Sequence, residues 1–247
     1  MAITDRPSGH FSDRQGQKVR YIIVHSTAAP VGATAKNALD YLVGPNDRGV
    51  SSHEVTLPGD EAYILVPDDL AAHHCEGEKV VFPDGTPWYL ANEITWGVEA
   101  FQVVGKPVGE EVHMTTLKRV VAACQRFGLD ASSVLGHREI DPANRSDPVG
   151  IDMDEFRAAV AELLLAEQLL AEGEKHQAIQ FNPQAALQRR IFADGFVPNS
   201  PEFDLEHGGV KYRAQRAEDL KEGKVRVYYA QIDDWEHVRF AERAPTK

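Results

Sequence analysis

Tyr21-Ile22-Ile23-Val24-His25 is the stretch that decides how the chain is read. It is a short apolar run, rich in β-branched residues and too brief for a buried helix. It predicts a strand buried on both faces, with His25 at its C-terminal end. Beyond it, residues 33–43 set Ala35, Ala38, Leu39 and Leu42 at helical spacing, and Gly44-Pro45-Asn46-Asp47 stops that helix. Residues 52–57 and 62–66 predict two strands around a Pro58-Gly59-Asp60 turn. Residues 96–103 predict another.

A helix is expected from about residue 116, where Leu117, Val120, Val121, Cys124 and Phe127 recur on one face before Gly128. Residues 133–135 form a brief strand leading to Gly136-His137. The polar stretch 138–150 reads as a loop. A long helix over 154–172 carries Phe156, Val160, Leu163, Leu164 and Leu170. Strands alternating with helices predict an α/β domain over residues 15–172, with a mixed central β-sheet flanked by helices.

A polar linker over 173–182 follows. Asn182 is an expected N-cap before Pro183, opening a helix over 183–193. Residues 211–216, 225–230 and 238–241 alternate like strands, so 183–247 reads as a small α+β accessory module. Charge separates the two parts. The net charge of −12 falls entirely on residues 1–182, and the remainder carries equal numbers of acidic and basic side chains. The module's aromatic residues read as a small core or a sugar-stacking face.

Composition narrows the function. A strongly acidic chain lacks the basic surface that phosphate neutralisation requires, which argues against nucleic acid as a partner. No window approaches the ~20 apolar residues of a membrane span. The N-terminus lacks a basic stretch followed by an apolar core, so synthesis in the cytoplasm without a signal peptide is expected. The two cysteines, Cys75 and Cys124, do not make a disulfide framework. Cys124 is expected in the core. Oligomeric state is not written in the sequence.

Histidine and carboxylate residues suggest a metal. Catalytic zinc takes three protein ligands and keeps a position for water. His25 at a strand end and His137 after a glycine are placed to converge above a sheet, and Asp147 lies on the same loop as His137. Taken singly, His25 also reads as a buried packing histidine and His137 as an ordinary loop residue.

Several segments, in order, resemble the N-acetylmuramoyl-L-alanine amidase family, the type-2 amidase fold of phage endolysins, wall-recycling amidases and peptidoglycan recognition proteins. Tyr21-Ile-Ile-Val-His-Ser-Thr-Ala28 is similar to the family's first ligand segment, and Gly136-His-Arg-Glu-Ile-Asp-Pro-Ala-Asn-Arg-Ser-Asp-Pro148 to its second. Val50-Ser-Ser-His-Glu-Val55 resembles the central strands. Ala72-His-His-Cys75 looks like the Trp-His-Ala-Gly element, with His73 in place of tryptophan. Residues 92–99 resemble the Asn…Gly-Ile-Glu element.

The resemblance implies that His25, His137 and Asp147 bind Zn2+, and that Glu99 is the general base. Arg145, where the family usually has lysine, would stabilise the oxyanion. His74 and Asn92 are implied as substrate-binding, while His53 is expected to pack, and Glu139 and Asp141 to orient ligands or be solvated. With Ser52 before the central histidine and aspartate as third ligand, the chain is similar to the glutamate-and-aspartate subgroup. The implied partner is peptidoglycan and the implied role that of a lytic endolysin, with 183–247 binding the cell wall. A recycling amidase for anhydromuramyl-peptides and a non-catalytic recognition protein are the alternatives.

Overall fold

The computed structural model describes residues 1–75, 77, 79–175, 191, 196–198, 203–207, 210–218, 225–231 and 239–243, with backbone alone at several of these. The chain divides into two compact units, 1–161 and 162–247.

Unit one is built on a six-stranded sheet. Its strands are β1 (Ala2–Asp5), β3 (Tyr21–Ser26), β4 (Glu54–Leu57), β5 (Glu61–Ile64), β7 (Thr95–Ala100) and β8 (Val134–Gly136), in the order β1-β5-β4-β7-β3-β8. β2 (Phe11–Asp13) and β6 (Leu70–Ala72) pair separately. The β4–β5 hairpin is antiparallel, while β4–β7, β7–β3, β3–β8 and β1–β5 are parallel, so the sheet is mixed as expected. Every residue of β3 is buried, as a central strand covered on both faces must be.

Helices cover the two faces. α1 (Ala35–Val43) opens on Thr34, whose side chain accepts the Asn37 N–H, and ends at Gly44. Its Leu39 and Leu42 pack with Val55, Leu57 and Leu65. α2 (Ala91–Ile94) is one turn before β7. α3 (Glu110–Phe127) closes on Gly128 at φ 66°, a left-handed turn that glycine adopts without strain. It covers the opposite face. Arg119 of α3 forms a buried two-pronged ion pair with Glu54, both contacts at 2.5 Å, and Thr116 meets the Thr56 hydroxyl at 2.6 Å. α4 (His137–Ile140) is a single turn where a loop is expected. Glu139 accepts the Gly136 N–H at 2.7 Å and pairs with Arg157, which closes that turn and gives Glu139 a structural task. α5 (Met153–Lys175) starts where Asp152 accepts the amides of Asp154 and Glu155. Among the described residues, no helix is long and apolar enough to cross a membrane.

α3 begins six residues before the position its apolar stripe suggests. Thr115 and Thr116 occupy core-facing positions and return their hydroxyls to the carbonyls of Glu111 and Val112, so buried polar residues interrupt the apolar pattern there. Cys124 and Cys75 are both buried.

In unit two, β10 (Phe203–His207), β11 (Val210–Glu218), β12 (Val225–Gln231) and β13 (Arg239–Arg243) form an antiparallel meander. The short β9 (Val197–Pro198) also pairs with β11. β12 buries both faces. Val227 and Tyr229 pack with Leu165, Leu169 and Ala214, and Tyr228 packs with Ile191, Phe196 and Ala217. These aromatics are core. The expected helix over 183–193 falls outside the described residues apart from Ile191, as do Phe192 and Trp235.

Candidate functional site

The site forms at the C-terminal ends of the parallel strands, where open α/β sheets usually place ligands. His25 on β3 is the register partner of Glu99 on β7, and Glu99 is also paired with Val55 on β4. Paired residues share a face. His25 and Glu99 therefore rise side by side from the face that α1 partly covers. His137 enters at the first residue of α4, directly after β8. Asp147 arrives on the following loop, which the Asp147 carbonyl anchors by accepting the Arg138 N–H at 2.8 Å.

The sequence-predicted triad comes together. Nδ1 of His25 and Nδ1 of His137 each lie 3.2 Å from the same Asp147 oxygen, Oδ2. The three donor atoms fall within 4.8 Å of one another. His25 and His137 are buried, and their rings meet edge to face at 4.4 Å. Two imidazole nitrogens and a carboxylate oxygen in a buried, convergent set suit zinc. Each side chain already offers the atom a metal would take, so the residues fit such an ion.

Electrostatics agree. Burial, reinforced by the neighbouring His137, lowers the His25 pKa to about 4, which keeps its ring neutral at pH 7. Burial alone would raise the Asp147 carboxyl, but other contacts, that with His137 foremost, overcome this and hold it well below the usual carboxylate range. Glu99 behaves oppositely. Burial, then the nearby Asp147 charge, pushes it up to about 8 against the partial relief from Arg145. Its Oε2 is buried with no hydrogen-bond partner. An acceptor left in that condition is poised to take a proton.

His25, His74, Glu99, His137, Arg145 and Asp147 line one cleft of about 580 Å3. Its remaining wall includes Thr27, of the first family-like segment, and Asn37, Tyr41 and Arg48, residues that carry no sequence signal for the site. The Arg145 backbone is held by the Asp141 carbonyl at 3.0 Å, and its Nε is buried without a hydrogen bond, 3.9 Å from the Asp141 carboxylate. Asp141 thereby positions Arg145.

His74 stands behind His25. Its Nδ1 is 3.0 Å from His25 Nε2, and burial followed by its histidine neighbours lowers its pKa well below the ordinary value. Gly97 makes room for it: a Cβ there would fall 2.5 Å from His74 Nδ1. Asn92 is not among the cleft-lining residues. It is buried, and its Oδ1 accepts the amides of His74 and Cys75 at 3.1 and 3.0 Å. His53 is fully buried, accepts the Gly97 N–H at Nδ1 and stacks on Trp96, a packing role. His73 faces the Gly49 carbonyl and is not among the cleft-lining residues.

Comparison with known proteins gives the family. The N-acetylmuramoyl-L-alanine amidase family matches residues 15–150, more than half of the chain, and the chain belongs to that family. A probable N-acetylmuramoyl-L-alanine amidase of Bacillus licheniformis is 28% identical over 136 residues, 52% of this chain. The match spans only 37% of that relative's length. Among solved structures, the Staphylococcus aureus hydrolase AmiA, in complex with its ligand, superposes with a TM-score of 0.53 at 16% identity, covering 68% of this chain and 85% of that one. A selenomethionine derivative of AmpD gives 0.51 at 20% identity, covering 64% and 93%. At such identities the likeness is one of fold.

Proposed function

We propose that this chain hydrolyses the amide bond between N-acetylmuramic acid and L-alanine in peptidoglycan, with zinc held by His25, His137 and Asp147. The observation that carries the reading is the convergence of these three donors in a cleft that Glu99 and Arg145 also line. A zinc ion there would supply Lewis acidity, lowering the pKa of water toward ~7 and polarising a carbonyl.

The chain's own residues do the rest. Glu99 takes a proton from the attacking water and gives it to the departing L-alanine amine, and its raised pKa suits both steps. Arg145 brings a permanent positive charge to the oxyanion that develops on the amide carbonyl. His74 borders the cleft, and Asn92 supports it by fixing the His74 backbone. The cleft volume lies in the range of small-ligand sites, enough for a sugar ring and the first residues of a stem peptide.

The role we infer is lytic, on intact wall, with residues 183–247 as an accessory wall-binding module. The neutral charge of that segment supports it, since anionic wall polymers repel a neutral module less than an acidic one.

Mass spectrometry of digested peptidoglycan tests the reaction. A cut between the lactyl group and L-alanine is expected, and a different cleaved bond overturns the proposal. A strong chelator should abolish hydrolysis and added zinc should restore it. Turbidity loss on permeabilised cells, compared with hydrolysis of a soluble muropeptide, decides between the lytic role and a recycling one. Ending the chain at residue 182 should weaken pelleting with purified walls; unchanged pelleting removes the wall-binding assignment.

A further inference from the structure

Thr95 opens β7 on the same face as Gly97 and Glu99, and it is fully buried. Its hydroxyl meets the Ala91 carbonyl at 2.6 Å, His74 Nε2 at 3.0 Å and Cys75 Sγ at 3.3 Å. A hydroxyl has a single proton, and a carbonyl only accepts. At 2.6 Å the Thr95 proton belongs to Ala91. The His74 contact then runs the other way, with Nε2–H donating to the Thr95 oxygen. A neutral imidazole carries one N–H, so His74 Nδ1 is an acceptor. Its partner at 3.0 Å is His25 Nε2, which must donate. The proton of His25 is therefore on Nε2, and Nδ1 keeps its lone pair. That Nδ1 is the atom facing Asp147.

We propose that Thr95 is a positioning residue that, through His74, fixes His25 in the tautomer whose Nδ1 offers a lone pair to the metal site. The relay rests on the zinc reading for its purpose. In this tautomer His25 Nδ1 and the Asp147 carboxylate face each other as two acceptors 3.2 Å apart, an arrangement that a cation between them relieves. Which nitrogen of a histidine binds metal is set by the hydrogen bond the other one makes. Thr95 is not among the residues that line the cleft. Gly97 completes the device, because only a residue without a side chain lets the His74 ring lie against the strand between Thr95 and Glu99.

The test uses the full chain with Thr95→Val, which keeps the shape and removes the hydroxyl, and Thr95→Ser, which keeps the hydroxyl. Long-range 1H–15N NMR of the metal-free protein at neutral pH should show His25 as the Nε2–H tautomer in wild type and in Thr95→Ser. In Thr95→Val the tautomers of His74 and His25 should mix. Zinc affinity, read by competition with a chelating dye, should weaken ~10–100-fold in Thr95→Val and stay near wild type in Thr95→Ser. Unchanged tautomers and affinity in Thr95→Val overturn the proposal, as does a serine variant as impaired as the valine one. Should Thr95→Val not fold, wild type still decides: an Nδ1–H tautomer at His25 overturns the relay. An Nε2–H tautomer in a wild-type protein that binds no zinc upholds the relay and overturns the zinc reading instead.

Discussion

His25 and Glu99 are register partners across the parallel β3–β7 pair, so a metal-ligand candidate and a protonatable carboxylate share one face of the sheet on adjacent strands. Their separation is set by backbone hydrogen bonding rather than by loops, which gives the pair a rigid mount. Glu99→Gln preserves size and removes the base. Turnover should fall ~10²–10⁴-fold while zinc stoichiometry is kept. Near-normal kcat in a zinc-loaded variant would take Glu99 out of the mechanism.

The same residue should leave a mark on stability. Burial raises the Glu99 carboxyl from 4.5 to about 8 in the metal-free fold. Between those values the folded state holds a proton that the unfolded chain has released. Stability from this group is thus complete below about pH 4.5 and is lost as pH rises through about 8. The slope is at most ~1.4 kcal/mol per pH unit. Urea denaturation of metal-free wild type and Glu99→Gln across pH 5–9 should show wild type losing ground as pH rises. Parallel curves would mean that Glu99 ionises normally.

Arg145 carries charge into the cleft from the Asp141-anchored turn. Arg145→Ala should lower kcat ~10²–10³-fold, the usual cost of one oxyanion donor, and Arg145→Lys should lower it less. Equal losses in the two variants would count against a charge role. A change confined to KM would make Arg145 a binding residue.

Gly97 and His74 should be coupled. Gly97→Ala drives a Cβ into the His74 ring and should cost ~1–3 kcal/mol, as overpacking in a buried site does. Zinc affinity should weaken with it as His74 shifts from His25. Adding His74→Ala should recover most of the lost stability, and denaturation of the four proteins of the cycle measures this. Additive losses would show that the clash is with something other than His74.

Much of the fold is legible along the chain because it depends on local pattern. The Tyr21–Val24 run, the Gly128 stop and the strand before His137 each carry their cause within a few residues. The elements that escaped are those whose cause is distant. β1 has no burial pattern of its own, since all of its residues are exposed, and it is a strand because β5 pairs with it. α4 forms in a polar stretch because Glu139 reaches back to Gly136 and is held by Arg157. The early turns of α3 hide behind threonines that satisfy their hydroxyls within the helix.

By itself the sequence carried the α/β plan, through apolar periodicity, and, through the segments that resemble the amidase family, the expectation that His25, His137 and Asp147 form one donor set. Tertiary structure alone decided which nitrogens face Asp147, why Glu99 resists ionisation, that Asn92 supports the His74 backbone, and that Thr95 stands behind the site. The reason is physical. A tautomer, a desolvated carboxylate and a contact between residues up to 122 positions apart depend on strand order and register, and both exist only once the sheet has formed.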